Sequence, residues 1–135
     1  MQHQDLTRTI IGVCYEVANE LGHGFLESVY QAALAIALAE KGLQVAQQVP
    51  LEVTFRGQVV GQFYADLVVQ GSVIMELKAV KALAREHSAQ LINYLKATGY
   101  DVGLLVNFGQ PHIDCKRCWR PREPTSSSKP PVSNP

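Results

Sequence analysis

Cysteine is scarce in this sequence, and the three that occur, Cys14, Cys115 and Cys118, are too few and too scattered for a disulfide framework. No positively charged leader precedes an apolar run, and no uninterrupted apolar stretch is long enough to span a bilayer. These absences predict a cytoplasmic protein without a membrane partner. The 135 residues, 47% of them hydrophobic, suffice for one domain with a substantial core.

Net charge is also absent, but the balance hides an asymmetry along the chain. Residues 1–110 carry 7 Lys and Arg against 10 Asp and Glu, whereas residues 111–135 carry 5 against 2. A mildly acidic body repels phosphate backbones at long range. A nucleic-acid function must therefore depend on a specific site, because bulk charge does not favour it.

Two helices are predicted in the first third of the chain. Asp5 suits an N-cap and Gly22 suits a stop for a helix over 5–21, in which Cys14 belongs to an apolar stripe. A second helix is predicted over 26–41. Its centre is apolar on every side, which is typical of a buried helix.

After residue 42 the hydrophobic period changes to that of strands. Pro50 indicates that the first strand lies at a sheet edge or carries a bulge. The predicted elements are strands over 45–55, 58–69, 73–80 and 102–108 and one helix over 82–98. The order is therefore ααβββαβ, an α/β (α+β) fold with about four strands.

From residue 110 onward the chain is rich in proline and serine, which cannot support a core. We therefore expect a domain over 5–110 and a mostly disordered basic tail over 111–135. Cys115, Cys118 and His112 suggest a soft-metal site in that tail. A zinc site needs four ligands, usually as two separated pairs, and no second pair is present, so zinc is not predicted.

A hairpin in the middle of the chain organises the predicted site. Two β-branched runs flank a Gly-centred break at 70–72, which is typical of a tight connection between antiparallel strands. With these three residues as the loop, Val69 faces Val73 and Asp66 lies opposite Glu76. A change of one residue in loop length would move Asp66 to the other face of the sheet.

Side chains alternate along a strand, so Lys78 shares a face with Glu76 and, in this register, with Asp66. Burying such charges is costly unless they pair, bind a metal or take part in chemistry. One interpretation is a structural ion pair of Lys78 with Glu76 or Asp66. The other is a Mg²⁺ or Mn²⁺ site in which the two carboxylates are ligands and Lys78, shifted toward its neutral form, acts on the attacking water.

Other polar residues are candidates for the surroundings of this site. Glu27, in the first turn of the second helix, either complements the helix dipole or is a third acid of the site. Glu16 is either a solvated residue or leans over the site. Tyr30 follows Glu27 by about one turn, and Gln90 and Tyr94 belong to a polar stripe on the third helix.

Residues 24–30 read Gly-Phe-Leu-Glu-Ser-Val-Tyr and match a G-x-x-E-x-x-Y motif. Further matches occur in order from Leu6 to Phe108, namely Ile-Ile-Gly in the first helix, Val-Pro-Leu at 49–51, the Asp66 strand, Glu-Leu-Lys at 76–78 and Ala-Gln-Leu-Ile-Asn-Tyr-Leu-Lys at 89–96. On these motifs the chain resembles the small bacterial GxxExxY proteins of the PD-(D/E)XK nuclease superfamily.

The resemblance implies a restriction-endonuclease-like core, a mixed sheet flanked by helices. It also implies that Asp66 and Glu76 hold a divalent cation while Lys78 helps to activate a water. Glu27 matches the acid that this family carries on a helix, and Gln90 matches a polar residue on the helix after the E-x-K motif. The chain departs from the family at His23, where proline is common. The resemblance would make Cys115 and Cys118 apolar fillers of a closing strand.

Three functions remain open from the sequence. The first is a Mg²⁺-dependent nuclease acting on DNA or RNA, as a homodimer or in a larger complex that supplies basic surface. The second is a non-catalytic module on the same fold that binds nucleic acid or protein, since fold alone does not decide function. The third is a metal-dependent hydrolase of a small phosphorylated molecule.

Overall fold

The computed structural model describes residues 3–122, in which three helices surround one five-stranded sheet. The elements are α1 (His3–Leu21), α2 (Glu27–Glu40), β1 (Val45–Phe55), β2 (Gln58–Val69), β3 (Val73–Lys78), α3 (Arg85–Thr98), β4 (Val102–Asn107) and β5 (Asp114–Trp119). The strand order is β1-β2-β3-β4-β5, with β3 and β4 parallel and the other neighbours antiparallel. No helix in this part of the chain is long and apolar enough to cross a membrane.

The helices cover both faces of the sheet and bury two clusters. The cluster on the α1 and α2 side, here the α1/α2 core, includes Leu6, Ile10, Val13, Cys14, Val17, Tyr30, Leu34, Leu38, Leu67, Val69, Val73, Met75, Leu77, Val102, Leu104, Val106 and Phe108. The cluster on the α3 side, here the α3 core, consists of Ala65, Val68, Ile74, Leu91, Leu95, Leu105 and Cys118. A restriction-endonuclease-like mixed α+β fold is therefore confirmed.

Helix α1 forms as its apolar spacing predicts, with residues three and four apart on one buried face. It begins at His3, so Asp5 lies in the first turn and is not the predicted N-cap. Gly22 follows the helix with φ of 76°, a left-handed conformation that glycine adopts without strain.

Helix α2 is less buried than its composition predicts. Tyr30, Leu34 and Leu38 form its buried face at a spacing of four residues. Ile36 is 64% exposed, however, and Ala32 is also exposed, so one side of the helix faces solvent. The alanine-rich sequence hides this side, because a small apolar side chain costs little when it is exposed.

The predicted strands at 45–55 and 58–69 are confirmed as a long hairpin, with β1 at the sheet edge as Pro50 indicates. The β1–β2 register also shifts once, between Val53 and Thr54. Toward the C-terminal end of β2 the alternation of side chains between the two faces of the sheet changes. Residues three positions apart in a regular strand point to opposite faces, but Ala65 and Val68 both belong to the α3 core.

Strand β5 is absent from the strands that the hydrophobic pattern predicts, although the resemblance implied a closing strand with Cys115 and Cys118 as its apolar fillers. It pairs antiparallel with β4 and extends the sheet beyond residue 110, where the sequence placed the start of a tail. Cys118 packs in the α3 core and Cys115 against the α1/α2 core, so the two thiols face opposite sides of the sheet and do not converge on one metal. The remaining part of the predicted tail, residues 123–135, lies outside the described residues.

Tyr30 joins α2 to the preceding turn and to the end of β4. Its side chain is buried and its ring stacks on Phe108, with centroids 4.3 Å apart and planes 10° from parallel. The hydroxyl donates to the Gly22 carbonyl at 2.6 Å and accepts from the Phe25 N–H at 3.3 Å. These contacts fix the turn from which Glu27 begins α2.

Replacing Tyr30 with Phe should therefore lower the free energy of unfolding by about 1 kcal/mol, because the partly buried hydrogen bonds to the Gly22 carbonyl and the Phe25 N–H are lost while the ring packing is kept. Urea titration followed by circular dichroism measures this change. Tyr15→Phe is the matched control, since that side chain is 49% exposed. Equal stability of Tyr30→Phe and the wild type would contradict the proposed role of the hydroxyl.

Candidate metal centre

The hairpin between β2 and β3 has the register that the sequence predicts. Its loop is residues 70–72, and Val69 pairs with Val73. Gln70 and Gly71 both have positive φ, 54° and 60°, and the Ser72 N–H donates to the Val69 carbonyl at 3.0 Å. These features give a tight turn over residues 69–72 inside the three-residue loop, and its left-handed central residues give a twist that suits antiparallel strands.

Asp66 takes part in holding the two strands together through its side chain. Regular β2–β3 pairing runs from the turn to Leu67 and Met75. One residue further, Asp66 Oδ2 accepts the backbone N–H of Leu77 at 2.7 Å. A carboxylate oxygen therefore stands where a strand carbonyl would continue the ladder, and Asp66 is fixed beside the β3 segment that carries Glu76.

Glu76 and Lys78 point to the α3 side of the sheet, because Met75 and Leu77 alternate with them and lie in the α1/α2 core. Oε1 of Glu76 is buried and has no hydrogen-bond partner among the described residues. Burial raises the pKa of Glu76 to about 7, the negative charge of Asp66 adds to the rise, and the positive charge of Lys78 opposes it. The centre is thus a poorly solvated carboxyl next to a second one.

Lys78 is held by its backbone at the end of the parallel β3–β4 pair. Its carbonyl accepts the Phe108 N–H at 2.8 Å. The buried Asn107 side chain accepts the Val80 N–H at 3.0 Å and donates to the Val80 carbonyl at 2.9 Å. Within residues 3–122 no ion pair joins Lys78 to Asp66 or Glu76, which disfavours the structural ion-pair interpretation.

The donor set fits a hard divalent cation. Each oxygen of Asp66 accepts one hydrogen bond and retains a lone pair, and Oε1 of Glu76 is a buried acceptor without a partner. A cation would satisfy that acceptor and offset the repulsion between the two carboxylates. No cluster of three or more His, Cys, Asp or Glu side chains suited to a metal occurs in the described part of the chain. Two carboxylates, completed by water and substrate oxygens, are typical of Mg²⁺.

Glu27 is connected to this centre only indirectly, through Gln31 and Gln48. Gln48 Nε2 donates to Asp66 Oδ1 at 3.2 Å and to Gln31 Oε1 at 2.7 Å. Glu27 is exposed at the start of α2, one helical turn before Gln31 on the same side. The structure therefore places it at the margin of the centre and does not gather its carboxylate with the other two.

On the α3 side, Tyr94 lies close enough to Glu76 to be affected by its charge, and Gln90 contacts Tyr94. The Tyr94 ring stacks on Phe63 of β2, with centroids 3.5 Å apart and an interplanar angle of 11°. Burial and then the charge of Glu76 raise the pKa of the Tyr94 hydroxyl, and a hydrogen bond with Gln90 opposes the rise. Tyr94 thus links α3 to β2 beside Glu76.

Two predicted accessory residues lie elsewhere. Glu16 pairs with Lys41 at 3.3 Å, just beyond the C-terminal end of α2, a helix length away from Glu27. Tyr30 is committed to the turn before α2 and to Phe108. Sequence reasoning missed Gln31, Gln48 and Asn107. Only Asn107 carries a signal, as a polar residue that ends an apolar run.

Comparisons with known proteins agree with the restriction-endonuclease-like fold. A family model described as the PD-(D/E)XK nuclease superfamily matches residues 4–118. The solved structure of SSO0001 is similar in fold, with a TM-score of 0.56 and 20% identity over 71% of this chain and 50% of that chain. This chain therefore spans about half the length of SSO0001. A comparison with curated proteins finds no match.

The raised pKa of Glu76 makes a prediction about stability. The folded value of about 7 lies above the ordinary value of 4.5, so folding favours the protonated carboxyl. The associated stability is fully present below pH 4.5 and is lost as the pH rises through 7. Glu76→Gln, which has no charge to bury, should be more stable than the wild type at pH 8 by up to about 3 kcal/mol, and nearly equal to it at pH 4.5.

Urea titrations of both proteins at intervals between pH 4.5 and 8 measure this difference. Glu52→Gln is the matched control, since it removes an exposed carboxylate from β1. A pH-independent difference between Glu76→Gln and the wild type would show that Glu76 is not a buried carboxyl in solution.

Proposed function

Because this chain belongs to the PD-(D/E)XK nuclease superfamily, we propose that it hydrolyses phosphodiester bonds of nucleic acid with Mg²⁺ or Mn²⁺ and is a nuclease of the GxxExxY type. The single observation that carries the proposal is the buried Oε1 of Glu76, which has no partner among the described residues and lies beside Asp66. A fold without a cation site would gain stability by replacing such a carboxylate.

In this proposal Asp66 and Glu76 are the metal ligands. When bound, the cation supplies positive charge at the phosphate and lowers the pKa of a coordinated water. Asp66 is oriented for this role by the Leu77 N–H, and Glu76 is oriented by the rigid alternation of β3. Asp66 is therefore held in place before the cation binds.

Lys78 is the proposed catalytic residue that assists the attacking water. Its ammonium group makes no ion pair with the carboxylates among residues 3–122, so it is available to substrate or water. Its backbone is fixed by Phe108 and by the Asn107 clamp on Val80, which limits where the side chain can reach. Positioning of this kind is worth more in catalysis than the bare presence of the group.

Glu27 and Gln90 are proposed to act at the edges of the same centre. Glu27, at the margin next to Gln31, can bind the cation through a water. Gln90 can orient the water or the phosphate from α3, and Tyr94, which is stacked on Phe63, can contact the substrate. DNA and RNA both fit this chemistry, because the proposed contacts are to phosphate.

A second candidate is a non-catalytic module that binds nucleic acid or a protein partner on the same fold. The acidic body favours it, with 7 basic against 10 acidic residues over 1–110. A homodimer or a larger complex would supply the basic surface that a nuclease needs. The two candidates differ in one measurable step, because only the nuclease cuts its bound substrate.

Metal binding is the first test. Calorimetric titration of the wild type with Mn²⁺ and Mg²⁺ should give saturable binding that is lost in Asp66→Asn, because one of two ligand carboxylates becomes a neutral amide. Glu52→Gln removes an exposed carboxylate of β1 and should bind as the wild type does. Undiminished binding by Asp66→Asn would place the cation elsewhere and contradict the proposed centre.

Cleavage is the second test. Single-stranded DNA, duplex DNA and RNA of mixed sequence are incubated with protein and Mn²⁺, with EDTA as the metal-removal control. Lys78→Ala should lower the cleavage rate by about 100-fold or more without changing the melting temperature, since it removes a group that acts on the water. Lys81→Ala, an exposed lysine beyond the end of β3, is the control.

Metal binding by the wild type without cleavage of any of these substrates would favour the non-catalytic module. Equal cleavage by Lys78→Ala and Lys81→Ala would contradict the role assigned to Lys78.

A further inference from the structure

Gln48 has an unusual backbone for its place in the fold. It lies in the middle of the edge strand β1 with φ of 49°, a left-handed conformation that strains residues other than glycine. Its neighbours are regular, since Gln47 pairs with Leu67 and Val49 pairs with Ala65. Gln48 therefore stands directly across from Asp66, and the strain is confined to that one position.

The sheet changes its alternation at the same level. In β1, Val45 packs against the α1/α2 core whereas Val49 packs against the α3 core, although residues four apart in a regular strand share a face. In β2, Ala65 and Val68 both pack in the α3 core, although residues three apart in a regular strand point to opposite faces. The conformation of Gln48 thus belongs to a local reversal of both strands around Asp66.

The Gln48 side chain uses this conformation to reach Asp66. Its amide nitrogen has two hydrogens, one donated to Asp66 Oδ1 at 3.2 Å and the other to Gln31 Oε1 at 2.7 Å. Gln31 Nε2 in turn donates to Gln47 Oε1 at 3.2 Å. The amide orientation follows from chemistry, because an ionised carboxylate can only accept. Three glutamines thus connect α2 and β1 to one carboxylate.

Two donors now act on the two oxygens of Asp66, Gln48 on Oδ1 and the Leu77 N–H on Oδ2. A carboxylate held at both oxygens cannot rotate freely about its χ2 torsion. We propose that Gln48 is a positioning residue, which with Leu77 holds Asp66 in the one orientation from which it can share a cation with Glu76. This inference rests on the proposed function, since it assigns the cause of pre-organisation in that same centre.

A glycine substitution separates the side chain of Gln48 from its backbone. Gln48→Gly can keep φ near 49° without strain, so the reversal of the strands is preserved while the hydrogen bond is removed. We expect the melting temperature to rise by about 2 to 4 °C or to stay unchanged. The dissociation constant for Mn²⁺ should increase by about 10-fold, as is typical when a group that orients a metal ligand is lost.

Arg56→Gly is the matched control. Arg56 has nearly the same backbone, with φ of 51°, but it lies in the β1–β2 turn and its guanidinium rests on the Phe55 ring. This variant relieves the same strain far along the hairpin from Asp66 and should bind Mn²⁺ as the wild type does. Gln31→Ala leaves the bond to Asp66 but frees its donor to turn, so it should weaken Mn²⁺ binding by less than Gln48→Gly.

The test combines calorimetric Mn²⁺ titration with NMR of the side-chain amide protons of Gln48 in the metal-free protein. Slow solvent exchange of these protons, lost in Asp66→Ala, together with weaker Mn²⁺ binding by Gln48→Gly, is the expected result. Equal Mn²⁺ affinity of Gln48→Gly and Arg56→Gly would overturn the inference. So would amide exchange that Asp66→Ala leaves unchanged, whether or not metal binds.

Failure of the proposed function gives a different pattern. In that case the wild type itself does not bind Mn²⁺, while the Gln48 amide protons still respond to Asp66→Ala. The hydrogen bond would then be real and its role in holding a metal ligand would be excluded.

Discussion

The candidate metal centre depends on one constraint, the burial of the Glu76 carboxyl next to Asp66. A carboxylate taken out of water without a partner is costly, and a second negative charge beside it adds to the cost. The structure meets this demand only in part: burial raises the pKa of Glu76 to about 7, and its Oε1 has no partner within residues 3–122. The two-layered core on either side of the sheet must therefore supply the stability that holds β3 in place.

The same constraint explains how the polar side chains around the centre are held. Asp66 accepts from Leu77 and Gln48, Lys78 is anchored through its backbone, and Tyr94 is stacked on Phe63. Each group is fixed by contacts that do not involve the neighbouring carboxyl of Glu76. Oε1 of Glu76 is thereby left as the buried acceptor without a hydrogen-bond partner within residues 3–122. Such an acceptor suits a centre that is completed by a ligand.

Much of the candidate site could be predicted from the sequence. A three-residue loop fixes the register of a hairpin, and the register fixes which side chains face each other. The Val69–Val73 pair follows from that rule, and the common face of Glu76 and Lys78 follows from the alternation of side chains along β3. The prediction does not extend to β1: next to Asp66, β1 and β2 both reverse their alternation, and a strained glutamine of β1 stands opposite Asp66. Nothing in the composition of β1 indicates a left-handed residue at Gln48.

Other differences also have physical causes. The hydrophobic pattern alone did not predict strand β5, because this edge strand exposes Lys116 and Arg117 and has cysteines as its apolar residues, so it lacks a strong alternating pattern. The closing strand followed only from the resemblance. The exposed side of α2 was not predicted, because alanine counts as apolar in a sequence pattern but its small side chain costs little when it is exposed to water. The position of Glu27 relative to the centre depends on how α2 packs over the sheet. The local hydrophobic periodicity does not determine that packing.

The Asn107 clamp on Val80 joins residues that are 27 apart in sequence. During synthesis the hairpin that carries Asp66 and Glu76 can form from local contacts, but nothing holds the segment after Lys78 until β4 has left the ribosome and paired in parallel with β3. A nascent chain that ends before residue 102 therefore carries both acids without an anchored lysine. Lys78 is therefore anchored only once the parallel β3–β4 pair has formed.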